Sequence, residues 1–142
     1  MVNSFDLLNK IFDLLANDKE MCQYLEIDTT KLKGNKLLDK LNDKLRREYQ
    51  TAEVIERDDV PFISFYFMHA EKTKNNWLVN KGDLYVDIYV SNIYTAGQIS
   101  KRFRQIIADN LKILLNYEGQ HFSGVIGVYK YRLIYNPLID GE

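Results

Sequence analysis

The chain has 142 residues, of which 46% are hydrophobic and 27% charged, and its formal net charge is −1. That length suits one domain able to bury about two-thirds of its unfolded surface without staples. The near-neutral charge excludes a long-range pull toward nucleic acid or an anionic membrane, and no apolar run approaches the roughly 20 residues of a membrane span.

Cys22 is the only cysteine, so no internal disulfide can form. The opening "MVNSFDLLNK" lacks a basic segment followed by a long apolar run. Together these predict an intracellular protein without a signal peptide. Asn3 or Ser4 caps a first helix in which Phe5, Leu8, Ile11, Phe12 and Leu15 recur at helical spacing. "NDKE" at 17–20 predicts a break, "MCQYLEI" one more helical turn, and 28–34 a polar connection. A second helix is expected over 35–49, with Leu37, Leu38, Leu41 and Leu45 as its apolar stripe. Pro61 then marks the entry to a strand, "VPFISFYFM", apolar on both faces. Residues 69–82, polar around Trp77, read as an extended hairpin loop.

The next strand, "KGDLYVDIYVS", sends Leu84, Val86, Ile88 and Val90 one way and Tyr85, Asp87 and Tyr89 the other. Thr95 caps a third helix over 96–116, with Ile99, Phe103, Ile106, Ile107, Leu111 and Leu114 inward. A last strand spans 124–135 and places Lys130 and Arg132 on one face and Tyr129, Tyr131, Leu133 and Tyr135 on the other. The order is α-α-β-β-α-β: a single α+β domain over 1–142, a mostly antiparallel sheet packed with helices, ending in a tail at 136–142.

All three strands carry apolar or tyrosine-rich surface on both sides, and six of the ten tyrosines fall in them. The first and third helices cover one side. The other is open to the second helix or to a neighbouring subunit, and tyrosine suits a partly wet interface. Asp87 cannot be buried alone, since an unpaired carboxylate costs several kcal/mol. Lys130 and Arg132 are its candidate partners if the strands are neighbours.

Catalytic, metal and cofactor signatures do not emerge. His69 and His121 lie in no metal-ligand spacing, and "GVIG" at 124–127 lacks the context of a nucleotide loop. Lys33, Lys36, Lys40, Lys44 and Arg47 form a stripe on the second helix, and "SKRFRQ" places Lys101, Arg102 and Arg104 around Phe103. These read as solvated helix faces or, alternatively, as a small nucleic-acid-binding module.

The run "DDVPFISFYF", a polar loop, "KGDLYVDIYV", "TAGQISKRFRQIIADNL" and a final strand, about 54–135, resembles the head–tail joining and tail-terminator proteins of long-tailed bacteriophages and prophages. The resemblance implies a non-enzymatic structural protein without cofactors. It implies a self-associating ring, commonly a hexamer, that contacts the tail-tube protein and the head-completion or connector protein, with DNA only passing through. It also implies host cytoplasm during assembly and the virion head–tail junction afterwards, with no membrane. The expected interface residues are Trp77, Leu78, Tyr85, Asp87, Tyr89, Arg102, Lys130, Arg132, Leu138 and Ile139.

Overall fold

A computed structural model describes residues 3–73 and 76–140, with the side chains of 69–81 and 140 outside that description. Helix α1 is Ser4–Ala16, and the Asn3 side chain caps it by accepting the Asp6 N–H at 2.8 Å. Leu7, Leu8, Ile11, Phe12 and Leu15 face inward, while Phe5 is exposed. The short α2, Lys19–Tyr24, starts at Asp18, whose carboxylate accepts the Met21 N–H at 2.9 Å. Helix α3 is Gly34–Lys44, and Leu37 and Leu41 pack against the same core as α1. Helix α4, Ile93–Asn110, buries Ala96, Ile99, Phe103, Ile106 and Ile107. Each large apolar side chain there contributes about 1.5–3 kcal/mol.

The strands are β1 (Leu45–Arg46), β2 (Phe62–Thr73), β3 (Asn76–Val90), β4 (Leu115–Phe122), β5 (Tyr129–Tyr135) and β6 (Leu138–Asp140). They form one sheet in the order β1-β2-β3-β5-β4, with β6 also paired to β3. Among the described residues only the β1–β2 pair is parallel. This is an α+β fold on a mostly antiparallel sheet. Its main core lies between α1, α2 and α4 and the face bearing Ile63, Phe65, Leu84, Val86, Ile88 and Leu133. Among the described residues no helix is long and apolar enough to cross a membrane.

The anticipated order survives with β1, β4 and β6 added, the extra helical turn forms as α2, and several boundaries move. The second helix stops at Lys44, not 49, because Leu45 enters the core and its backbone pairs with Ile63. The third helix runs 93–110 rather than 96–116. Lys112 adopts a left-handed φ of 52° just after it, so Leu114, which continues the helical spacing, is exposed. The following β4 was not anticipated. The last strand starts at 129 rather than 124: Gly124 and Gly127 have φ of 80° and 83°, and they turn the chain between β4 and β5. The expected loop at 69–82 is instead the far end of a long β2–β3 hairpin, with Lys72 still paired to Asn80. The tail does not hang free. Leu138–Asp140 pairs with Val79–Lys81, and Ile139 is buried in the core.

Candidate functional site

The second face of the sheet is built by register. Ser64 pairs with Asp87 and Asp87 with Arg132; Tyr66 pairs with Tyr85; Tyr89 pairs with Lys130 and Lys130 with His121. Alternation then sets Tyr66, Asp87, Lys130, Arg132 and His121 on one surface. Asp87 is fully buried, at 0% exposure. Arg132 grips it through Nε to Oδ1 at 2.7 Å and Nη2 to Oδ2 at 3.2 Å. Tyr66 donates its hydroxyl to Oδ2 at 2.6 Å, and the Lys130 ammonium lies 3.6 Å from the same oxygen.

The electrostatics follow from burial and from that one carboxylate. Burial, reinforced by Asp87, pushes the Tyr66 hydroxyl well above the ordinary phenol range. Burial opposes the charge on Arg132, yet its hydrogen bonds to Asp87 raise its pKa. Burial lowers Lys130 while Asp87 pulls the other way. With both carboxylate oxygens satisfied within the chain, the cluster fixes the register of β2, β3 and β5. The Arg132 guanidinium also stacks 4.8 Å from the Tyr85 ring, tying the partly exposed tyrosine to the same cluster.

Helix α3, the second helix expected from the sequence, packs Leu37 and Leu41 on the main core and does not cover this face of the sheet. Its far end is closed by the coil between β1 and β2 and by the β4–β5 turn: Ile55, Val60, Val125 and Val128 pack on Phe62 and Tyr89, whose rings stack at 4.7 Å. Tyr49 meets Tyr66 edge-on at 5.5 Å. On β4, Tyr117 lies along the strand over Gly119, where a Cβ would sit 2.5 Å from its hydroxyl, and that hydroxyl meets His121 Nε2 at 3.0 Å. Burial, then the charges of Arg132 and Lys130, lowers the His121 pKa.

The expected interface residues therefore divide. Asp87, Tyr89, Lys130 and Ile139 are buried within the chain itself and present almost no surface. Tyr85 and Arg132 are half-buried, and Leu138 is exposed. Arg102 is held by Asp18 at 2.9 Å and by Glu20 at 3.1 Å, clamping α4 to α2. Trp77 and Leu78 fall in β3, and their side chains lie outside the described residues.

The arginines of the basic stretches and Lys44 are likewise engaged internally, while Lys33, Lys36 and Lys101 are exposed. Arg104 pairs with Glu118 at 3.1 Å, and Arg46 pairs with Asp43 and Asp59. Arg47 stacks over Phe12, and buried Lys44 donates to the Asp59 carbonyl at 3.0 Å. The lysine stripe on α3 is thus interrupted at its end.

Exposed apolar surface gathers elsewhere, along β4. Among the described residues this strand ends the sheet, so one row of its backbone groups is paired to no strand there. Leu114 precedes it at 82% exposure, Phe122 ends it at 99% and Ile126 follows at 88%. Tyr117 and Tyr129 are also exposed. The strand "LNYEGQHF" holds no Lys or Pro, the residues that commonly guard such an edge. Its one acidic residue, Glu118, is already paired. Sequence reasoning missed this surface because it treated the segment as helix end and loop; Gly119 and the flanking Phe122 were the available signals. No protein-family model matches the chain, and no curated protein matches it.

Proposed function

We propose that this chain is a non-enzymatic structural protein that self-associates into a ring at the head–tail interface of a long-tailed phage. The observation that carries the self-association is the unguarded β4 edge, which ends in exposed Phe122 and is flanked by exposed Leu114 and Ile126. An edge of this kind is a template for another strand, and exposed large apolar side chains mark contact surface. The resemblance over residues 54–135 supplies the setting: a ring that caps the tail tube, meets the connector and lets DNA through. The nucleic-acid reading draws less support, since Arg46, Arg47, Arg102 and Arg104 each have partners within the chain.

The test is assembly. The chain should form a multi-subunit ring by native mass spectrometry and electron microscopy, and loss of its gene should leave tails that fail to join heads. Trp77→Ala should weaken ring formation by about 2 kcal/mol, the size of an interface hot spot, while the circular dichroism melt stays unchanged. Normal ring yield and normal virion yield in that variant would count against a role for the hairpin.

A further inference from the structure

The sheet has two open edges, and they differ. At one end lies β4, Leu115–Phe122, with no strand on its outer side among the described residues. At the other end β1 covers β2 only opposite Ile63 and Ser64. Phe65 and Tyr66 are buried, and among the described residues no strand pairs with the outer edge of β2 over 67–73. We infer that copies of this chain join head to tail, β4 of one copy adding to the free edge of β2 on the next. This inference rests on the ring reading above and specifies its contact.

Three observations carry it. The first is polarity: β2, β3, β5 and β4 alternate in direction, so β4 runs opposite to β2. A copy repeated by rotation about an axis along the strands therefore brings β4 antiparallel to its neighbour's β2, continuing the prevailing pairing. The second is length: an eight-residue strand meets a seven-residue stretch at 67–73, beyond buried Phe65 and Tyr66. The third is charge. Glu118 is already paired with Arg104, and His121 is bonded to Tyr117, so β4 brings no free carboxylate to the joint. Two different surfaces meeting in one direction make a heterologous contact, which closes into a ring when the rotation allows. The apolar flanks of β4 then approach exposed Met68 on β2.

Two edge-blocked variants test it, each placing lysine on exposed positions. Gln120→Lys with Phe122→Lys blocks β4, and Met68→Lys blocks β2. Thermal melts check that both fold. Wild-type chain should give multi-subunit species at millimolar concentration by light scattering and native mass spectrometry. Each blocked variant alone should run as a monomer of 16.7 kDa. An equimolar mixture should form a dimer of one copy of each, because one intact β4 still meets one intact β2. A homodimer of the Met68→Lys chain would show β4 pairing with β4 and overturn the inference. Wild-type assembly by either variant, or a mixture that stays monomeric, would overturn it too, leaving the ring reading intact. A wild-type chain that stays monomeric throughout would sink both.

Discussion

The face of the sheet under α1 and α4 is closed by Ile63, Phe65, Val86, Ile88 and Leu133, whereas the opposite face is closed over a carboxylate, two cations and a phenol. The first kind of closure is forgiving in composition, because volume-conserving apolar swaps cost little. The second is all or nothing: Asp87 is stable at 0% exposure only while its partners remain. A sheet can thus be dry on both sides for opposite reasons, and the two sides should fail differently.

The largest effect should come from breaking the ionic side. Arg132→Met leaves Asp87 buried with much of its compensation gone, and should cost about 3–5 kcal/mol in urea unfolding. The double variant Asp87→Leu/Arg132→Met removes both charges and should recover much of that loss. A double variant as unstable as the single one would show that the cluster does more than satisfy itself.

Glycines sharpen the contrast at intermediate size. A Cβ on Gly82 would lie 2.7 Å from the Phe67 ring and 3.4 Å from Ile139, so Gly82→Ala should destabilise by about 1–3 kcal/mol. On α4, Gly97 faces open space, and Gly97→Ala should stabilise by about 0.5–1 kcal/mol. Thermal melts of the two variants should move in opposite directions.

The smallest effect is titration on the ionic side. The His121 pKa is lowered from its ordinary 6.5, chiefly by burial and then by Arg132 and Lys130. The fold therefore favours the neutral ring. Its contribution is complete above pH 6.5 and falls away as pH drops from 6.5 through the lower folded-state value, where the unfolded chain binds the proton first. The melting temperature of wild type should decline over that window slightly more steeply than that of His121→Gln. Parallel curves would show that the histidine is not coupled to folding.

Much of this was legible from spacing alone. The inward rows of α1 and α4 stand out because each helix has one side in solvent. The alternation in β3, with Asp87 alone among tyrosines, pointed to Lys130 and Arg132 before any register was known. What hid was structure without periodic contrast. β4 is an edge strand, mostly exposed, with polar residues on both faces and Gly119 within it, so no period-two signal arises. β1 and β6 are two and three residues long, too short for a pattern. The end of α3 was overrun because Leu45 sits at helical spacing while its burial is won by the sheet. The unguarded edge, which carries the assembly proposal, was invisible for the reason that makes it useful: it is not yet packed against anything.

Ile139 has a consequence for how the protein is made. It completes a core whose first members, Leu7 to Leu15, leave the ribosome well over a hundred residues earlier. Helix α1 meets α2, then β1 and β2, then α4 as each emerges, so the core fills in steps and Ile139 seals it last.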